Sequence, residues 1–297
     1  MSGFATEEVR FKSDDGECGA TLTRPAGEGP FPAVVLCHGL GAVREMRLQA
    51  NAERFAQAGI VCINFTYRHF GDSSGDPRQL LDIGEQRKDI ANAIDYVKSL
   101  DFVDASRIGL FGSSFGGGHV MAVAAGRGDL SAVVAQCPFT DGRASGFTLG
   151  PVSTIKVAIL AIADTVLSLF GKGPVYAKLG GKRGEAAMMT APDVVDGYFG
   201  LMPEGYVHDN RIAARFGLIV GSQRPGKKLK DVQAPVLVCA CEKDTVAPYK
   251  ATAKYASGLP NVTLKSYPFG HFDIYVGEPF EQAVGDQTAF LTANLAG

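Results

Sequence analysis

The sequence predicts an α/β fold built on a doubly wound, mainly parallel sheet, and three features point to it. Short, mainly apolar runs at residues 33–37, 60–65, 108–111, 132–137 and 235–241 have the character of strands buried on both faces. Stretches with apolar residues at helical spacing alternate with them, the order that a parallel sheet with crossover helices requires. With 297 residues, 46% of them hydrophobic, the chain is long enough to bury one large core.

Residues 9–12 and 20–23, either side of Ser13-Asp14-Asp15-Gly16, read as an antiparallel hairpin at a sheet edge. Pro30-Phe31-Pro32 leads into the run at 33–37, which stops at His38-Gly39-Leu40-Gly41. Leu48, Ala52, Phe55 and Ala56 mark a helix ended by Gly59. The strand at 60–65 runs into Tyr67-Arg68-His69-Phe70-Gly71-Asp72-Ser73-Ser74-Gly75, and Asp76-Pro77 reads as the cap and first-turn proline of the next helix. Ile90, Ala93, Ile94 and Val97 supply that helix with its inward stripe, to about residue 100.

After the strands at 108–111 and 132–137 the alternation breaks. From 146 to 230 there is no clean strand pattern. Helical apolar patches, Gly/Pro punctuation and the basic run Lys227-Lys228-Leu229-Lys230, which reads as a solvated linker, predict a largely helical insertion. Strands resume at 235–241 and 262–267, and a helix at 280–295 closes the chain. The expected organisation is a core of residues 1–145 and 231–297 with a helical cap, 146–230, inserted before the penultimate strand.

A formal net charge of -2 and the lack of a long basic run argue against nucleic acid as a partner. Residues 1–10 are polar and acidic, unlike a signal peptide. The six cysteines mostly fall inside strand-like runs, where free thiols act as small hydrophobes, so a reduced, cytoplasmic protein is expected. No metal or organic cofactor is implied. The most apolar segment, 152–170, is interrupted by Lys156 and Asp164, which speaks against a membrane span. Its default reading is burial, with an acyl-pocket wall or a homodimer face as alternatives.

The chemistry centres on Gly112-Ser113-Ser114-Phe115-Gly116, between the strand at 108–111 and a helical stretch. A serine in so tight a strand-to-helix turn needs small neighbours, and the turn lifts its hydroxyl above the sheet edge. Ser114 is therefore the candidate nucleophile. A hydroxyl needs a base at neutral pH. Of His38, His69, His119, His208 and His271, only His271 stands in a loop directly after a terminal strand, in Phe269-Gly270-His271-Phe272-Asp273. The base needs a carboxylate to hold its tautomer. Asp244 lies just past the carboxyl end of a buried strand, where open α/β sheets place their ligands; Glu242 and Asp141 are rivals, and Asp273 reads as a helix cap. The main-chain N–H groups of Phe115 and Leu40 are the candidate oxyanion donors, each contributing about 2.7–4 kcal/mol to a transition state. His38 is expected to shape the oxyanion turn by hydrogen bonding, and His119 to be a satisfied group behind Ser114. His69 is left between substrate contact and structure.

With these residues in place the chain resembles an α/β-hydrolase over its whole core, residues 31–145 and 231–295. The His38-Gly39 turn, the Tyr67 segment, the Ser114 turn, Glu242-Lys243-Asp244 and Gly270-His271-Phe272 fall where that family has them, although His69 stands where glycine is usual. Arg44-Glu45-Met46 and Pro77-Arg78 are similar to the dienelactone-hydrolase and acyl-peptidase-like branch and to related polyketide acyltransferases. The resemblance implies hydrolysis of an ester, thioester or amide of a small molecule through an acyl-enzyme, under a helical cap. An acyltransferase using the same three residues, or a non-catalytic binding protein on the fold, are the alternatives. The apolar cap favours hydrophobic or aromatic acyl groups.

Overall fold

A long hairpin, β1 (Phe4–Ser13) and β2 (Gly16–Pro25), opens the chain in a computed structural model that describes residues 3–296. Each strand has ten residues where the sequence predicts four, because the polar ends of both strands pair as regularly as their apolar middles. β3 (Phe31–Cys37), β4 (Val61–Phe65), β5 (Val103–Ser113) and β6 (Ala132–Gln136) follow. Each carries the apolar run that announced it, and β4 and β6 are buried along their full length.

Helices cross between the strands: α1 (Leu48–Gln57), α2 (Ile83–Lys98), and α3 (Phe115–Ala124) directly behind Ser114. Asp76-Pro77 does not start α2. Asp82 caps it, its carboxylate accepting from the Glu85 amide at 2.9 Å, and Asp76-Pro77 lies in the preceding loop. A side-chain acceptor over a free first-turn N–H outcompetes a proline with no such partner.

The inserted segment begins near α4 (Gly142–Gly146) and α5 (Pro151–Leu169). It is not wholly helical. β7 (Tyr176–Gly180), β8 (Ala187–Met189) and β9 (Arg211–Ala213) form a separate three-stranded sheet in the order β8-β7-β9, with α6 (Val194–Phe199) and α7 (Phe216–Val220) around it. Strands of three to five residues are too short to show an alternating pattern against Gly-rich flanks. The expectation of burial for 152–170 is also corrected. Ser153, Val157, Ala161 and Asp164 face inward, but Val152, Ile155, Ile159, Ile162, Val166, Leu169 and Phe170 face solvent. By length and mean hydropathy, 1.8 in its most apolar window, α5 would suffice to cross a bilayer; here its inner face packs on α7 and β7.

β10 (Val236–Cys241), α8 (Tyr249–Ala256), β11 (Val262–Tyr267) and α9 (Gly277–Asn294) complete the core. The eight-stranded sheet runs β1-β2-β4-β3-β5-β6-β10-β11, parallel from β4 onward and antiparallel at its first two joins. α1 and α9 pack together on it, as do α2 and α3. The carboxyl ends of β3, β5, β10 and β11 therefore open at one edge.

Candidate active site

At the end of β5 the backbone turns through Ser114 with φ 55° and ψ −116°. A residue with a side chain is strained there, and the neighbours hold it. The Ser114 amide donates to the Gln136 carbonyl at 2.9 Å, and the Ser114 carbonyl accepts from Phe139 at 2.8 Å. Gly116 lets α3 press against β3: a Cβ on it would run into the carbonyls of Cys37 and His38. One on Gly112 would strike the Gly116 carbonyl. Beneath the turn a chain of buried polar groups runs from Asn51 through Gln287 and Gln136 to the Ser113 hydroxyl, which also bonds Tyr275 at 2.6 Å.

His271 follows β11 by four residues, and its ring reaches over Ser114. Its Nε2 lies 3.0 Å from the Ser114 Oγ, and its Nδ1 lies 2.7 Å from Asp244 Oδ2. Asp244 follows β10 by three residues. Its other oxygen accepts from the amides of Val246 at 2.9 Å and Ala247 at 2.6 Å, so the carboxylate cannot swing. The His271 and Asp244 side chains are buried. The rivals are placed elsewhere. Asp141 caps α4 with one oxygen and binds Tyr255 and Arg224 with the other; Asp273 accepts from the Gly270 amide; Glu242 is exposed.

The turn after β3 sits against Ser114: a Cβ built on Gly39 would lie 3.2 Å from the Ser114 Cβ. Among the described residues neither the Leu40 nor the Phe115 amide meets an acceptor. The turn is held from two sides. Asn64, on β4, donates its amide to the Arg44 carbonyl and accepts from His38 Nε2. Burial pushes the His38 imidazole down to about 4, so it stays neutral, with the proton on Nε2. From the inserted segment, the buried Tyr198 hydroxyl donates to the Leu40 carbonyl at 2.8 Å.

Ser114 stands at the junction of two cavities. The larger, about 210 Å³, lies between core and insertion and is walled largely by apolar groups, among them Phe115, Phe139, Val157, Met188 and Phe216. The smaller, about 30 Å³, lies on the other side of Ser114, beside Met46, Tyr198, Leu201 and Tyr275.

Residues 28–278 match the family model described as "Serine aminopeptidase, S33". The chain is 49% identical over 284 residues, 96% of its length and 93% of the relative's, to the quorum-quenching protein AidA of Acinetobacter baumannii. It is 26% identical to a thiohydrolase of Eupenicillium brefeldianum, covering 96% and 93% of the two chains. Among solved structures, DcsB in complex with its substrate analogue superposes with a TM-score of 0.84 at 27% identity, over 99% and 100% of the two chains. The chain belongs to the S33 family of α/β-hydrolases.

Within this S33 hydrolase two further histidines are held by structural contacts. His69, at φ 72°, bonds the Pro77 carbonyl at 2.9 Å and Glu85 at 2.8 Å, which assigns it to anchoring the loop before α2. His119 bonds Gln86 at 2.8 Å, and burial, with Arg87 nearby, pushes it down to about 3. Sequence reasoning had no access to Tyr198, whose short helix carries no pattern that points to β3. Asn64 did leave a signal, as a polar residue near the end of the apolar run 60–65.

Proposed function

We propose that this chain is a serine hydrolase that cleaves a carboxylic ester, thioester or amide of a small hydrophobic acyl compound through an acyl-enzyme. The observation that carries the reading is the continuous line Ser114 Oγ, His271 Nε2, His271 Nδ1, Asp244 Oδ2, with steps of 3.0 and 2.7 Å, at the mouth of an apolar cavity. Ser114 Oγ attacks the carbonyl carbon while His271 Nε2 takes its proton. Asp244 keeps the Nδ1 proton in place and stabilises the imidazolium. The amides of Leu40 and Phe115 receive the negative oxygen. Collapse of the tetrahedral intermediate expels the leaving group, protonated by His271. Water, deprotonated in turn by His271, releases the acid and frees Ser114.

The larger cavity suits an acyl chain, because its walls offer few polar partners, and the smaller one suits the leaving group. The name of one relative, a thiohydrolase, supports the hydrolytic part of this reading. The two cavities meeting at one hydroxyl also suit the second reading, transfer of the acyl group to an alcohol or amine seated where the leaving group was. A polyketide transferase of Stachybotrys chlorohalonatus, 30% identical over 62% of this chain, favours that variant. A cytoplasmic setting belongs to the same reading, supported by six cysteines that stand buried and unpaired.

A fluorophosphonate probe followed by peptide mass spectrometry tests the first step, with labelling expected on Ser114 alone. A folded protein left unlabelled would make it a binding protein. A p-nitrophenyl ester series, run with and without an alcohol acceptor, then separates hydrolysis from transfer and reads the acyl length the cavity accepts.

A further inference from the structure

The solvent side of α5 bears an apolar seam that the proposed chemistry does not use. Val152, Ile155, Ile159, Ile162, Val166 and Leu169 are exposed by 53, 61, 61, 56, 48 and 78%. Their spacing is three, four, three, four, three, the repeat of a seam that packs against another helix. The spacing is also palindromic about the point between Leu160 and Ala161. Two antiparallel copies related by a two-fold axis there would set Val152 against Leu169, Ile155 against Val166 and Ile159 against Ile162, each pair occurring twice. An isologous interface demands this self-complementarity.

Extent and charge agree. The seam runs about 26 Å along the helix. Phe170, next after the helix, is exposed as well, as are Phe147 before it and Leu218 and Ile219 of α7. Together these side chains expose on the order of 1,000 Å² on one copy, against the roughly 800 Å² per partner of a standard interface. A helix lying on a membrane surface carries a rim of Lys and Arg. Between Pro151 and Leu169 the sole basic residue is Lys156, whose ammonium is spent on the Gly184 carbonyl at 2.8 Å.

We propose that this face joins two copies of the chain as an antiparallel α5–α5′ pair. Because Thr154, Val157 and Ala158 of the same helix line the larger cavity, the pair braces one wall of it.

Sedimentation of the full chain tests the pair. Wild type is expected at twice 31.3 kDa, and Ile159→Glu, which buries a charge at the centre of the seam, at 31.3 kDa with unchanged circular dichroism. Direction is read separately by cross-linking, since all six native cysteines are buried. Val152→Cys and Leu169→Cys chains mixed under mild oxidation should form a covalent heterodimer, while neither forms one alone. Monomeric wild type, a dimer indifferent to Ile159→Glu, or self-cross-linking of either single variant would each overturn the arrangement. So would co-sedimentation of wild type with phosphatidylglycerol vesicles that Ile159→Glu abolishes, which would assign the seam to a lipid surface.

Discussion

The hydroxyl of Tyr198 donates to the carbonyl of Leu40 across 2.8 Å, tying α6 of the inserted segment to the turn after β3. The amide of the same Leu40 is the proposed oxyanion donor, so a residue of the inserted segment tethers the turn that carries it. Tyr198→Phe keeps the ring packed and removes the tie. One hydrogen bond of this kind is worth about 0.5–1.5 kcal/mol, so kcat should fall up to roughly tenfold. KM should change little, because the oxyanion forms after binding. A fall in KM-limited binding with kcat intact would detach Tyr198 from the oxyanion turn.

Ser114→Ala and His271→Ala should each lower turnover by about 10⁴-fold or more, and the double variant should lose little beyond either single one. Asp244→Asn should cost a similar order, because it leaves the imidazole in the wrong tautomer. Steady-state kinetics on one p-nitrophenyl ester decides this. Multiplicative losses would mean that the side chains do not work as one unit.

Asp164 lies fully buried on the inner face of α5, where it accepts from the Arg215 guanidinium at 2.8 and 3.0 Å and from the amides of Val175 and Arg215. This is why a carboxylate interrupts so apolar a helix. Asp164→Ala strands the two amide donors and leaves the partly exposed Arg215 guanidinium to water, and should destabilise the fold by about 1–3 kcal/mol. Denaturant unfolding measures it, and a loss under 1 kcal/mol would show that the insertion does not lean on the pair.

His38 and His119 are both held neutral by burial, at about 4 and about 3, against roughly 6.5 in the unfolded chain. Below the unfolded value the unfolded state takes up protons that the native state refuses. Their contribution to stability is therefore complete above about pH 6.5 and is lost as the pH falls toward 4 and 3, at up to about 1.4 kcal/mol per pH unit for each imidazole. Arg87 is the charged group facing His119 and stays cationic throughout this range. His119→Gln, which retains a partner for Gln86, should flatten the dependence of Tm on pH between 6 and 4. Parallel curves for variant and wild type would refute the assignment.

How much of this could be read from residue order differs from part to part. The buried strands announced themselves because a parallel strand covered on both faces has little room for polar side chains, and β3, β4, β6 and β10 are apolar runs with two exceptions, Asn64 and Gln136, each of which finds a buried hydrogen-bond partner. The insertion was less legible. Its strands take their stability from pairing with one another, and its Gly-rich flanks carry no period.

Sequence alone determined the sheet, the sharp turn at Ser114 and the loops that hold Asp244 and His271, because apolar runs, glycines and loop positions are local properties of the chain. Tertiary structure alone decided that His271 points at Ser114, that Tyr198 reaches Leu40, and that one side of α5 is left to solvent. Such contacts join residues 27 to 158 positions apart, and only the packed three-dimensional arrangement brings them within hydrogen-bonding distance.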